Sequence, residues 1–237
     1  MPFMVKPKDL GRAIQSLRIL HIAGANVTVP YKEAVIPFLD VLSEGANIIG
    51  AVNTIVRDGD RLKGYNTNAI GIMDALSEAE FEVDGASALV FGTGGAARAV
   101  VFILNWLRAA SIVVVGRNRE KALELVQTFS GEVIDPEALA GSLPADIVIN
   151  ATAVSSFDES PELAALTSKL EFPNCRMVLD LNYGRHDNFW GEMAQSRGIR
   201  FMDGLPALAY QARRTFALWT GLQVPPEEFV KALNGEE

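Results

Sequence analysis

The chain has 237 residues, 49% hydrophobic and 21% charged, a make-up that belongs to folded globular proteins and excludes disorder. Twenty-nine acids against 21 bases leave a net charge of −8, the wrong sign for a nucleic-acid surface. One cysteine, Cys175, and two distant histidines, His21 and His186, offer no disulfide and no metal-ligand spacing, so no metal is expected. The most apolar stretch, residues 99–107, is bounded by Arg98 and Arg108. It falls far short of the ~20 residues a spanning helix needs. The first eight residues hold no apolar signal core, and the expected location is cytoplasmic.

In chain order, residues 7–20 predict a helix: Pro7 suits a first turn, and Leu10, Ile14, Leu17 and Leu20 share a face. Pro30 predicts the start of another, with Ala34, Phe38 and Val41 near helical spacing. Residues 55–57 and 61–65 flank Asp58-Gly59, a hairpin signal. Asn66 or Thr67 then caps a helix bearing Ile70, Met73 and Leu76. Near residue 84 the texture changes. Apolar runs at 86–91, 112–115, 146–150, 177–181 and 199–202 alternate with helical segments, among them 98–108 and 120–129. Strands apolar on consecutive residues and separated by helices predict a parallel sheet covered on both faces. A long helix over 206–219 and another after Pro225-Pro226 close the chain.

The expected fold is α/β in two domains. Residues 81–204 form a doubly wound, Rossmann-type nucleotide domain. Residues 1–80 form a truncated α/β substrate domain, onto which 205–237 pack back. Its incomplete sheet would leave an exposed edge, which predicts self-association as a homodimer.

Gly92-Thr93-Gly94-Gly95-Ala96-Ala97 follows a strand and opens a helix, fitting G-x-G-x-x-A. The first glycine permits a tight turn, the second lets the backbone approach a pyrophosphate, and the small third residue allows close packing. The helix N-terminus adds free amides and a positive dipole end. An ordinary strand-to-helix turn is the competing explanation. After the second strand the chain reads Gly116-Arg117-Asn118-Arg119, with no acid to hold a ribose 2′-hydroxyl. Two guanidiniums suit a 2′-phosphate, which favours NADP(H) over NAD(H); a solvated basic turn is the plainer alternative.

Three polar clusters precede the glycine loop: residues 24–32 (Gly-Ala-Asn-Val-Thr-Val-Pro-Tyr-Lys), 49–54 (Ile-Gly-Ala-Val-Asn-Thr) and 64–68 (Gly-Tyr-Asn-Thr-Asn). Turn and capping chemistry would account for each alone. In order, and joined to Asn150-Ala151-Thr152, Asp180-Leu181-Asn182-Tyr183, Gly204, Gln211 and Trp219-Thr220-Gly221, they resemble the shikimate dehydrogenase family from Phe3 to Val224.

The resemblance implies metal-free reduction of 3-dehydroshikimate to shikimate with NADPH, a step of aromatic amino acid biosynthesis. The substrate would be a cyclic polyol acid. It implies Lys32 and the residue at 68, here Asn68, as the catalytic pair, and Asn26, Thr28, Asn53, Tyr183 and Gln211 as substrate contacts. Cofactor contacts fall on residues 92–97, Arg117, Asn118, Arg119, Asn150, Ala151, Thr152 and Gly204. Without the family, Lys32 is an ordinary helix-start lysine; with it, an ammonium that stabilises charge on a ketone oxygen and donates a proton.

The chain also departs from the family pattern. The family's Ser-x-Ser carboxylate grip does not occur before residue 80, and Asn68 replaces an Asp. Ala153-Val154-Ser155-Ser156 replaces Pro-Leu-Gly-Met, Gly184-Arg185 follows Tyr183, and Pro206-Ala207 replaces Gly-Met. These changes predict weakened activity or an altered substrate. The alternative is a catalytically impaired NADP-binding pseudoenzyme that serves as a sensor or partner subunit.

Overall fold

The computed structural model describes residues 1–139 and 141–235. After a 3-10 turn at Pro7–Asp9, α1 (Leu10–Ile19) buries Leu10, Ile14 and Leu17 as the spacing predicts. β1 (Gly24–Asn26) follows, a short strand hidden within a polar phrase. The helix expected from Pro30 does not form. Turns lead to a 3-10 segment, Ile36–Phe38, and then to β2 (Val41–Leu42). Pro37 lies inside that stretch, where it would remove an N–H and clash with the preceding turn.

α2 (Glu44–Ile49) is capped by Ser43, whose Oγ accepts from Ala46 N, and it ends at Gly50 with φ 68°. β3 (Thr54–Asp58) and β4 (Arg61–Tyr65) form the expected hairpin. The four strands run β1-β3-β4-β2, with β2 parallel to β4 and the other pairs antiparallel. α3 (Thr67–Glu78) is capped by Asn66, whose side chain accepts from Ala69 N.

The second half is a doubly wound sheet. β5 (Ser87–Phe91), α4 (Gly95–Trp106), β6 (Ser111–Val115), α5 (Arg119–Phe129) and β7 (Glu132–Ile134) form one wing. β8 (Ile147–Asn150), α6 (Pro161–Lys169), β9 (Met177–Asp180), α7 (Phe189–Ser196) and β10 (Arg200–Met202) form the other. The order is β10-β9-β8-β5-β6-β7, all parallel. The winding reverses between β5 and β8. Ligands of open α/β sheets bind beyond the carboxyl ends of the strands at such a reversal.

α8 (Leu205–Thr220) and α9 (Pro226–Asn234) complete the chain. α8 lies against α3 so closely that a Cβ on Gly71 would stand 2.4 Å from Ala207 O. Ile72 and Leu76 of α3, Val101 and Leu104 of α4, Ala207 of α8, and Val90 and Ile149 of the parallel sheet belong to one buried cluster. A second cluster around Trp190 and Phe91 fills the sheet's other face, and a third, around Leu17, Val35 and Ile55, lies under the first sheet. Among the described residues no helix is long and apolar enough to cross a membrane.

Candidate active site

The glycine loop leaves β5 at the reversal point. Gly92 has φ 120°, and a Cβ there would meet Ala151 O at 2.8 Å, so only glycine fits between the ends of β5 and β8. Gly94 is the N-cap of α4 and brings no capping side chain. Arg98 N donates to Gly94 O at 3.0 Å, which leaves the earlier first-turn amides for another acceptor. A Cβ on Gly94 would meet no protein atom within 4 Å, so protein packing does not demand glycine there. That open space leaves room for an outside group to approach the backbone closely. Thr93, Gly95 and Ala96 are partly exposed around it, while Ala97 is buried against the sheet. This cradle fits a pyrophosphate.

The basic turn after β6 divides its labour. Asn118 Oδ1 accepts from Lys121 N at 2.9 Å, which caps α5. Arg119 Nη1 pairs with the Asp135 carboxylate, whereas Arg117 is exposed and forms no ion pair among the described residues.

Asn150 is wholly buried and internally used: its Nδ2 donates to Val154 O and Asp180 Oδ1, and its Oδ1 accepts from Thr152 N and Oγ1. Asp180, equally buried, also accepts from Ser155 Oγ at 2.6 Å, from Asn188 Nδ2 at 2.8 Å, and from Asn182 N and Nδ2. Glu159 accepts from Ser155 N and Ser156 N and pairs with Arg185 at 2.6 Å. Those amides hold its carboxyl below the usual range, with Arg185 adding to the effect. The loops after β8 and β9 are thus strapped together, and Ser155 serves the strap. Tyr183 stands half exposed on it. Gly204 N donates to Asn182 O at 2.9 Å, and a Cβ on Gly204 would stand 2.2 Å from Leu181 O. Gly204 is the packing residue that starts α8.

On the other side of the reversal point, three consecutive residues gather the polar phrases. Ala51 O accepts from Asn66 Nδ2 at 3.0 Å, and Val52 N donates to Lys32 O at 2.7 Å. Asn53, 3% exposed, donates from Nδ2 to Thr67 Oγ1 at 2.9 Å and to Asn68 Oδ1 at 2.8 Å. Behind it Thr54, Thr67 and Thr215 bring their hydroxyls within 3.1 Å of one another, and Gln211 Nε2 donates to Thr215 Oγ1 at 2.9 Å. Thr54, Thr67 and Asp180 stand within the polar phrases quoted from the sequence, without a site role there, and Thr215 was not singled out. The signal for Thr215 was its place one turn after Gln211 on the same helix face.

Lys32 reaches across to the glycine loop. A Cβ on Gly95 would stand 3.4 Å from both Lys32 Cβ and Cδ. Burial pushes the Lys32 ammonium below its ordinary range. Asn26 and Thr28 are exposed at and beyond the end of β1, and their side chains make no hydrogen bond among the described residues.

Two family models match the chain: the shikimate dehydrogenase substrate binding domain over residues 1–55, and shikimate / quinate 5-dehydrogenase over residues 75–185. The NADP(+) shikimate dehydrogenase of Pyrococcus furiosus is 43% identical over 222 residues, covering 93% of this chain and 79% of that protein. The chain belongs to the shikimate dehydrogenase family. The Moorella thermoacetica member is 39% identical over 95% of this chain and 79% of its own. Among solved structures, the Aquifex aeolicus shikimate dehydrogenase superposes with a TM-score of 0.86 at 34% identity, covering 98% of this chain and 84% of that one. The Thermus thermophilus shikimate 5-dehydrogenase, solved in complex with NADP(H) and shikimate, gives 0.84 at 33% identity, covering 98% and 85%. Family membership accounts for both sheets and for the order of the polar phrases.

Proposed function

We propose that the protein reduces 3-dehydroshikimate to shikimate with NADPH, more slowly than a member carrying Asp at position 68. The observation that supports this reading best is the position of Lys32. Its stem lies against Gly95 of the glycine loop, and its backbone is tied to Val52, beside the Asn53–Asn68 pair. One lysine therefore borders both the nucleotide cradle and the polar cluster.

NADPH, when bound, supplies the hydride to the keto carbon. Negative charge then grows on the carbonyl oxygen, and the Lys32 ammonium stabilises it and gives up the proton that completes the alcohol. Burial suits Lys32 to that transfer, because a lowered pKa makes the ammonium a readier acid. Asn26, Thr28, Asn53, Tyr183 and Gln211 would orient the ring. Residues 92–97, Arg117 and the 150–152 loop would hold the dinucleotide. Asn68 can hydrogen-bond but cannot ionise, so it cannot relay a proton as a carboxylate can. Acid–base contributions run to about 10²–10⁴-fold, the scale of the expected deficit. The same reading makes residues 1–80 with 205–237 the substrate side and 81–204 the NADP side, in a cytoplasmic protein.

NADPH consumption with 3-dehydroshikimate, measured on protein purified away from the host's own enzyme, tests this. Slow turnover is expected, and Lys32→Met should lower it at least about a hundredfold without weakening NADPH binding. NADPH binding with no turnover of 3-dehydroshikimate or dehydroquinate would sink the enzyme reading in favour of a nucleotide-binding pseudoenzyme.

A further inference from the structure

The hydrogen bonds around Asn53 fix which way the Asn68 amide faces. The backbone N–H of Thr67 can only donate, and it donates to Asn53 Oδ1 at 2.7 Å. Asn53 Nδ2 is therefore the other end of that amide, and its two protons go to Thr67 Oγ1 and Asn68 Oδ1. Asn68 is fixed in turn. Its Oδ1 is taken as an acceptor, and Nδ2 is its free end. A flip would set Asn68 Nδ2 against Asn53 Nδ2, donor against donor. Among the described residues, the buried side-chain polar atoms without a partner are Arg57 Nε and Arg197 Nη1. Asn68 Nδ2, which bonds to no described protein group, is thus reachable from solvent.

Lys32 and Asn68 are held by the neighbouring residues Val52 and Asn53. A lysine ammonium also has donors and no acceptor. Resting on the function proposed above, we propose that Asn68 is a fixed hydrogen-bond donor that, together with Lys32, selects the ketone form of the substrate over the alcohol. A ketone oxygen has two lone pairs and no proton, so it accepts from both groups. An alcohol oxygen can accept from both as well, but its own O–H then has neither group to donate to. A carboxylate at position 68 would accept that proton; an amide held by Asn53 in this orientation does not.

Binding of 3-dehydroshikimate and of shikimate, each measured by calorimetry without cofactor, reads the preference directly. The ketone should bind at least about tenfold more tightly, the scale set by one unsatisfied hydroxyl. Asn68→Asp keeps the shape and the bond from Asn53, and it should bring the ratio to about one or invert it. Asn68→Ala removes a donor from both ligands but also lets water accept the alcohol's proton. It should therefore weaken the ketone more than the alcohol and shrink the ratio. Unaltered NADP+ binding shows that each variant is folded. Equal binding of ketone and alcohol to the unmodified protein, or a ratio that Asn68→Asp leaves alone, overturns the donor assignment while the proposed reaction stands. If neither ligand binds any form although NADP+ does, the proposed function fails and the selection fails with it.

Discussion

At the scale of single residues, similar side chains acquire different duties from their neighbours. Arg117 and Arg119 are two residues apart on one turn and look equivalent in the sequence. Arg119 already faces the Asp135 carboxylate. That exposed pair contributes only about 0–1 kcal/mol, but it occupies the guanidinium and offsets its charge. Arg117 has no such acid and remains available to a 2′-phosphate. A hydrogen bond to a charged group contributes about 1.5–3 kcal/mol, or roughly 10- to 150-fold in affinity. Arg117→Ala should therefore cut the preference for NADP+ over NAD+ at least about tenfold, and Arg119→Ala about threefold or less. Fluorescence titration of both cofactors against both variants measures this. Equal losses would mean that Arg119 leaves Asp135 to join the phosphate.

At the scale of elements, α8 is tied to the first sheet by hydroxyls. Thr215 projects from α8 to Thr54 of β3 and Thr67 of α3, and it accepts from Gln211 one turn earlier. Thr215→Val keeps the volume and removes the hydroxyl, which strips Gln211 Nε2 of its acceptor in a buried place. The cost should be about 1–3 kcal/mol, seen as a lower urea midpoint at unchanged slope. Thr215→Ser should recover most of it. A midpoint that Thr215→Val does not move would show the triangle to be energetically idle.

This triangle was hard to read in the sequence because threonine fits a core, a strand or a cap equally well, and its partners lie more than 140 residues apart. Long apolar strands and the glycine loop were legible, since their patterns are local. The helix drawn from Pro30 failed because apolar spacing outweighed Pro37 in that reading. β1 and β7, three residues each, are too short to declare a period. α6 and α7 were missed although Ser160-Pro161 and Asn188 are ordinary capping signals. Asn53, Asn68 and Lys32 were singled out by their phrases, but only the bond from Thr67 N reveals which end of each amide is free.

At the scale of the whole molecule, α3 and α8 share one core with α4 and the parallel sheet. The cluster that includes Ile72, Leu76, Val101, Leu104 and Ala207 joins α3, α4 and α8 without a break. Polar contacts reinforce it: Arg98 Nε donates to Ile49 O at 2.6 Å, and Tyr210 Oη donates to Glu78 at 2.8 Å. Neither half can open without exposing apolar surface of the other, so thermal unfolding should be a single transition. The tryptophans allow this to be tested. Trp190 packs edge-on against Phe91 under the parallel sheet, while Trp219 Nε1 donates to Ile55 O beside the first sheet. Trp106 is exposed and can be replaced by Phe in both reporters. NADP+ at 100 times its Kd stabilises the native state by about 2.7 kcal/mol. For a chain of this size that is a rise in Tm of roughly 5–11 °C. Trp106→Phe with Trp190→Phe leaves Trp219 as reporter, and Trp106→Phe with Trp219→Phe leaves Trp190. Each pair has its own baseline stability, so the ligand-induced shift is the quantity to compare. Both should show the same shift, although Trp219 sits by the sheet that does not carry the glycine loop. A shift seen by Trp190 and not by Trp219 would mean that the halves melt independently. In that event the contact between Lys32 and Gly95 could not by itself hold substrate and dinucleotide in register.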